Sequence, residues 1–537
     1  MLKTKYIQDN CNREIVEYQL LLPINLGILI PSDDSVRLLS QIVEELDLTD
    51  LILAYSPNGR NPVVPPRIMF KILVYAYMNG IYSSRKIETC CRRDINFMWL
   101  LEGFNAPDHN TIARFRSGRL EACIENLFNQ FILRLHELDE VRFDHVFIDG
   151  TKIEANANKY TFVWKKSTEK FAAKLPAKIA ELATEMNEEF DTQFTPPDNE
   201  GGFLILRNML EYLMMLKEKM SIVFVSGKGQ MKTSVQRYSE KALDILEKHE
   251  KYQGYMEQFD NRNSFSKTDN DATFMHMKED HMRNSQLKPG YNFQIGVENG
   301  YILAMDLSCE RSDIYTLIPM LNVLEKSFPD NHINDIVCDA GYESEENYAY
   351  LAKNEYTSFV KPVNYESKKK RNYKQWIGKP ENMTYDPEKD EYICADGRNL
   401  KPERIKFDTK RRSKYEREIT IYKCESCEGC ALSGKCKKTE NDKRIEVSKD
   451  FVRYRSASKE NICSEKGIVL RINRSIQVEG AFGMLKEDYR FRRFLMRGKE
   501  NVFIECMLMS FSYNINKLHN KQAGRGNKKR LYKPKAA

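Results

Sequence analysis

Apolar positions recur at helical spacing through the first 140 residues. Leu38 to Leu48 reads as one amphipathic helix, and Pro66 to Met78 as a second, strongly apolar one with Pro65-Pro66 at its start. A third opens at Ser83-Ser84-Arg85-Lys86. A fourth follows Pro107-Asp108-His109, with Asn110 as the expected N-cap of one long helix carrying Arg114, Arg116 and Arg119. The period then changes. Asp144 to Gly150 is short and largely apolar, as a strand is. Residues 164–258 return to charged helical periodicity, interrupted at Pro196-Pro197 and Gly201-Gly202. Tyr291–Val297 and Tyr301–Leu307 are two strands around Asn299-Gly300, a strong hairpin signal. Ser312–Ser327 is helical, Ile333–Cys338 a strand, Ser344–Lys353 a helix and Thr357–Val360 a last short strand. Residues 361–461 are polar and basic with weak periodicity, and helical character returns at Gly467–Glu487 and Asn501–Leu518.

Strand, hairpin, helix, strand, helix, strand describes an α/β chain with a mixed sheet of the ribonuclease H-like kind. The expected division is an N-terminal helical, DNA-binding domain over 1–140, the first part of the core over 141–163 and a helical insertion over 164–261. The second part of the core follows over 262–360, a Cys-rich insertion over 361–461, the last helical part of the core over 462–517 and a basic tail over 518–537.

Composition narrows the function. The 537 residues suggest roughly three to four domains, and 41% hydrophobic content is too high for a disordered chain. No window approaches the ~18–20 uninterrupted apolar residues of a membrane span. The first fifteen residues lack the apolar stretch of a signal peptide, so the expectation is an intracellular protein without a membrane partner. The net charge of +7 is too small over this length to implicate nucleic acid as a sum. Its distribution is more telling: Lys and Arg gather at Arg92-Arg93, Arg114–Arg119, Lys368–Arg371, Arg411-Arg412, Arg490–Lys499 and Lys528–Arg530. The arginines at 490, 492 and 493 alternate with Phe491 and Phe494, which suits phosphate contact beside an apolar anchor. No GxxxxGK[ST] loop occurs, so nucleotide-driven chemistry has no support.

Two acids fall at strand ends, Asp149 and Asp339, each followed by small residues, and a third, Glu479, lies on the late helix. Carboxylates on two strands and a helix can hold two Mg²⁺ ions for in-line phosphoryl transfer. Helical spacing puts Glu479, Gly483 and Lys486 on one face. Four of thirteen cysteines cluster as Cys424-x2-Cys427-x2-Cys430-x5-Cys436, with Cys394 upstream as an alternative ligand. A structural Cys₄ zinc site, an iron–sulfur cluster and plain thiols all remain open on spacing alone, although the gap of five departs from the ferredoxin run. His276 and His281, five apart, lack the spacing of a helical zinc pair.

Five ordered segments carry a family resemblance: PDHNTIARFR at 107–116, FIDGTKIEANANKY at 147–160, LKPGYNFQIGV at 287–297, VCDAGYESEENY at 337–348 and RSIQVEGAFGMLKEDYRFRRFLMRG at 474–498. The chain resembles the bacterial insertion-sequence transposases of the DDE class, in the group with a Tyr-Arg-Glu-Lys signature on the Glu helix. The resemblance implies Asp149, Asp339 and Glu479 as the catalytic triad holding two Mg²⁺ (or Mn²⁺) ions, and Lys486 as a DNA contact. The signature tyrosine position is Ile472 and the arginine position Ser475, with Arg474 one place off; Arg471 or Arg474 would substitute. Arg114, Arg116, Arg474, Arg490, Arg492 and Arg493 are the remaining expected DNA contacts. The resemblance also favours zinc in the Cys cluster. It implies cleavage at terminal inverted repeats of an element, strand transfer into target DNA, a homodimer on DNA and a cytoplasmic, nucleoid-associated location. Two rival readings stay in view: a ribonuclease H-like nuclease or resolvase that cuts without joining, and an inactive, transposase-derived DNA-binding protein.

Overall fold

The computed structural model describes residues 25–56, 61–195, 202–227, 229–260, 262–277, 286–408 and 415–525. The expectations placed on 1–24, on His281, on Arg411-Arg412 and on Lys528–Arg530 lie outside these residues.

The main sheet is built from β1 (His145–Glu154), β4 (Thr273–His276), β5 (Leu287–Glu298), β6 (Tyr301–Ser308), β7 (Asp335–Cys338) and β8 (Thr357–Val360); a small pair, β2 (Phe162–Trp164) and β3 (Ser264–Ser266), stands apart. β1 is central. It pairs antiparallel with β5 and parallel with β7, and β7 pairs parallel with β8. On its other edge β5 pairs antiparallel with β4 and β6. This is the mixed sheet expected of a ribonuclease H-like core. The Asn299-Gly300 turn joins β5 to β6 with both residues at positive φ, 50° and 77°, as a two-residue turn matched to strand twist requires.

Why the central strands lack polar alternation is clear from their cover. β5 is buried from Pro289 to Glu298, because helices close both faces of the sheet. The helix Leu317–Ser327 and the long C-terminal helix Lys499–Gln522 both pack on β6. Asn514 of the latter reads the strand backbone twice, accepting from the Ile302 amide at 2.9 Å and donating to its carbonyl at 2.8 Å. Tyr513 donates to the Gly300 carbonyl at 2.9 Å, which clasps the hairpin tip.

The N-terminal helices share this core. Phe511 sits among Phe70, Phe128 and Phe131, with ring centroids 5.0–5.8 Å away. One continuous apolar cluster runs from Ile30 through the sheet to Leu518. The boundary at 140 therefore divides the chain but not the core. The helices themselves match the apolar pattern: Ser35–Glu45 and Pro66–Met78 form as expected. The long helix expected from Asn110 does not. Asp108 is the N-cap instead, taking the Thr111 amide at 2.9 Å, and the element breaks into His109–Arg114, a π turn Phe115–Arg119 and a separate helix Ile124–Glu137. At the other end the last helix runs to Gln522, past the tail boundary expected at 517. Lys521 pairs with Glu140, and His519 Nε2 lies 2.7 Å from the Asp33 carbonyl.

Two further units have small cores of their own. Helices Leu175–Phe190, Gly202–Lys219 and Ser234–Phe259 bury Leu182, Met186, Leu206, Met209 and Leu213 against each other. The Cys-bearing stretch holds a five-stranded antiparallel sheet that the sequence pattern hid: β9 (Thr384–Asp386), β10 (Glu391–Ile393), β11 (Asn399–Asp408), β12 (Arg417–Cys424) and β13 (Arg444–Val447), in the order 13-12-11-10-9. β11 is exposed along most of its length, Ile405 and Phe407 included, so no buried face imposed a period of two. No helix among the described residues is long and apolar enough to cross a membrane.

Candidate active site

β1 and β7 run parallel in register with Ile148 opposite Cys338, so the next residues, Asp149 and Asp339, stand side by side where β7 ends. Only Asp339 is at a strand end as expected: β7 stops there and its chain turns away, which leaves the side chain open, whereas β1 continues past Asp149 to Glu154, paired with β5. Each carboxylate is held by its own backbone. The Gly150 amide donates to Asp149 Oδ1 at 2.8 Å, and the Gly341 amide to Asp339 Oδ1 at 2.7 Å.

A guanidinium faces the pair. Arg474 Nη1 donates to Asp149 Oδ2 at 2.9 Å, and the two side chains are only 17% and 16% exposed. Burial and the nearby Asp339 charge push the Asp149 carboxyl above the usual carboxylate range, against the pull of Arg474. For Arg474 burial acts downward, yet the two carboxylates together raise its pKa. The fully buried Cys338 thiol beneath them is pushed well up, by burial first and then by Asp339.

Arg474 reaches Asp149 although it lies one place off the signature spacing. The helix Glu465–Arg474 passes into a π turn, Ser475–Glu479, and from there into Gly480–Gly483 and a second π turn, Met484–Asp488. In an α-helix a residue five places on stands about 140° around the axis. A π turn closes i to i+5 instead, so it brings Glu479 back over Arg474 and absorbs the extra residue.

Not every expected site residue joins this group. Glu479 is exposed, and among the described residues no set of three or more His, Cys, Asp or Glu side chains stands in metal-holding geometry. Lys486 does not share Glu479's exposure as helical spacing predicted: it is 8% exposed, within the second π turn. Arg116 is a clearer correction. It is 6% exposed, with Nη1 donating to the Tyr82 carbonyl at 2.7 Å and Nη2 to Ser84 Oγ at 3.3 Å, so it braces the interior rather than a DNA groove. The reason is the π turn at 115–119, which a uniform helical period cannot anticipate.

Arg114 and Arg490 are exposed, Arg490 with φ 56°. Arg492 is engaged by Glu487 at 2.6 and 2.7 Å. Arg493 donates to the Ala155 and Ala157 carbonyls at 3.3 and 3.4 Å, which ties the segment after the Glu helix to the end of β1. Buried Glu505 holds the same segment from the other side, accepting from the Leu495 and Met496 amides at 3.0 and 2.9 Å.

Sequence reasoning passed over four residues beside the pair: Asn292, Gln294, Asp313 and Tyr342. A signal was present, since Asn292 and Gln294 alternate as polar positions inside an otherwise apolar strand. It also passed over two ties to the segment after Asp339, one from the Cys-bearing sheet and one from the helix Lys449–Cys463 that follows it. Arg417 of β12 pairs with buried Glu345 at 2.5 Å, and Arg455 with buried Glu343 at 2.7 Å.

In that sheet Cys424 is buried, and Cys394, Cys427 and Cys436 pack around it. All are free thiols. Burial, then hydrogen bonding to Cys427, pushes the Cys424 thiol up to about 11. The Lys443 amide donates to Cys427 Sγ at 3.2 Å. Sulfur donors from two separated turns are the chemistry that zinc takes.

Two family models match the chain. A transposase domain model covers residues 24–118, and a transposase DDE domain model covers residues 393–519, the stretch with the Cys cluster, Arg474 and Glu479. No curated protein and no solved structure matches the chain. Transposase models are thus matched on both sides of the mixed sheet, which indicates an insertion-sequence transposase of the DDE class.

Proposed function

We propose that this chain cuts DNA at the ends of its element and joins the freed 3′-OH to target DNA, with Asp149, Asp339 and Glu479 as the acidic triad. The observation that carries this reading is the side-by-side placing of Asp149, midway along β1, and Asp339, just past the end of its parallel neighbour β7, with Arg474 bonded to Asp149. The donor set is hard oxygen, as Mg²⁺ or Mn²⁺ requires. A bound pair of such ions would supply charge stabilisation at the attacking and leaving oxygens.

The chain's own residues do the rest. Asp149 and Asp339 are each held by a backbone amide, which fixes these two carboxylates before any ion arrives. Arg474 offsets the charge of Asp149 and, with ions held by the carboxylates, would be free to contact phosphate. Glu479, one π turn beyond Arg474, would supply the third carboxylate from the helix. Arg114, Arg490 and Arg492 contribute to the DNA path, and two copies act together on paired ends.

The test is a joining assay. Full-length protein, Mg²⁺ and a pre-cut element end with a free 3′-OH are expected to give strand-transfer product in a target plasmid. Cleavage of uncut ends with no joining of pre-cut ones would favour the nuclease reading instead.

A zinc ion held by Cys424, Cys427, Cys436 and one of Cys394 or Cys430 completes the proposal, with no catalytic step assigned to it. Protein purified under reducing conditions is expected to carry about one zinc per chain, since a closed thiolate site binds tightly. Cys424→Ser and Cys436→Ser are each expected to lose that zinc. Equal zinc in wild type and both variants would sink the assignment.

A further inference from the structure

Beneath the aspartate pair lies a run of buried side chains whose donors and acceptors are all directed one way. Tyr342, three residues after Asp339, is fully buried and donates its hydroxyl to Gln294 Oε1. Gln294 Nε2 donates onward to Asn292 Oδ1 at 3.0 Å and to Asp313 Oδ1 at 3.2 Å. Asn292 Nδ2 donates to the same Asp313 oxygen at 2.7 Å. Gln294 is 0% and Asn292 1% exposed, in the middle of an apolar sheet.

The run abuts the glycine after Asp149 and the turn that begins at Asp339. Gln294 lies opposite Gly150 in the register of β5 and β1, and its amide covers that glycine: a β-carbon on Gly150 would stand 2.0 Å from Gln294 Nε2. At the far end Asp313 Oδ2 and Asp339 Oδ1 lie 3.5 and 2.9 Å from the single point where a Gly341 β-carbon would be. Asn347 adds a second tie, donating to the Tyr342 carbonyl at 2.7 Å and the Ile314 carbonyl at 2.9 Å. The turn at 313–315 and the turn at 339–342 are thereby locked to each other and to β5.

Such a network is a poor choice for stability alone, because apolar groups of the same shape would serve a sheet interior as well. It suits a different task, the support of metal-binding carboxylates from behind. We propose that Tyr342, Gln294, Asn292 and Asp313 are positioning residues that hold the Asp339 turn in register with Asp149 for divalent-ion binding, Asp313 being the charged anchor. This rests on the reading of Asp149 and Asp339 as metal ligands.

The test is Mn²⁺ titration of the full-length protein, followed by calorimetry and by the spectrum of the free ion, beside a melting curve and end cleavage at several Mg²⁺ concentrations. Tyr342→Phe removes one hydroxyl, and Asp313→Asn removes one charge at a half-buried site. Each is expected to raise the Mn²⁺ dissociation constant and the half-saturating Mg²⁺ about 10–100-fold, with melting close to wild type and metal-free binding of end DNA unchanged. Asp313→Glu is expected to recover part of the loss. Wild-type ion affinity in both variants overturns the inference, as does a loss of activity that tracks melting at unchanged ion affinity. Should Tyr342→Phe not fold, Asp313→Asn decides. Asp149→Asn is carried in parallel. Ion binding lost there but unchanged in Tyr342→Phe and Asp313→Asn defeats this inference alone. No saturable binding in wild type, or binding untouched by Asp149→Asn, defeats the aspartate-pair reading and this inference with it.

Discussion

Asp149→Asn and Asp339→Asn are each expected to lower end cleavage and strand transfer by about a thousandfold or more, which corresponds to roughly 4 kcal/mol of lost transition-state stabilisation. Both substitutions keep the side-chain shape and remove one charge from a pair that only a cation can satisfy. Their secondary effects differ, and the difference tests the geometry. Asp149 is the residue that Arg474 grips at 2.9 Å, whereas Asp339 feels Arg474 through the field alone. Asp149→Asn should therefore also loosen the Glu helix at Arg474, visible as faster amide exchange around 470–479. Asp339→Asn should leave that exchange near wild type. Rates on a defined element end under saturating Mg²⁺ decide the matter: either variant within tenfold of wild type would remove its aspartate from the catalytic set.

Phe511→Ala is expected to cost about 3–5 kcal/mol of unfolding free energy, the range for deleting a large buried ring. The ring is 0% exposed and touches three phenylalanines from two N-terminal helices, so little around it can collapse into the space. Because one apolar cluster spans the N-terminal helices and the sheet, both should melt in a single shifted transition. Denaturation followed by N-terminal and sheet-specific probes checks this. Two separate midpoints, with the sheet unmoved, would show the N-terminal helices to be an independent domain.

The N-terminal helices are also tied to the candidate site by a direct bond. Tyr82, in the turn before the helix that carries Arg92 and Arg93, donates its hydroxyl to the Tyr489 carbonyl at 2.7 Å, at the end of the Glu helix. This bond ties the start of that helix to the end of the segment that carries Arg474 and Glu479. On the other side of the site the Cys-bearing sheet is bound through Glu345, and the helix Lys449–Cys463 through Glu343.

Much was legible along the chain. The helix Pro66–Met78, the Asn299-Gly300 hairpin and the strands through Asp149 and up to Asp339 follow from local rules: proline at a first helical turn, φ above zero at a two-residue turn, and apolar runs before small residues. The candidate carboxylates stand out because each follows such a run, although the strand end expected at Asp149 is absent and β1 continues to Glu154 on its pairing with β5. The Cys-bearing sheet was not readable, since β11 has no buried face to mark it. Arg116, Lys486 and the missing register of Arg474 share one cause, the π turns at 115–119, 475–479 and 484–488. A single inserted residue rotates every later side chain, and a period-based reading does not detect it.

By itself, then, the order of residues determined which segments become helix, hairpin and strand, and which two acids follow apolar strand runs, because those outcomes depend on contacts only a few positions apart. Tertiary structure alone decided that Arg474 grips Asp149 across 325 positions of chain, that Arg116 turns inward, and that Asn292, Gln294, Asp313 and Tyr342 meet beneath the site. These depend on how elements remote in sequence are packed, and burial selects among partners that no local pattern names.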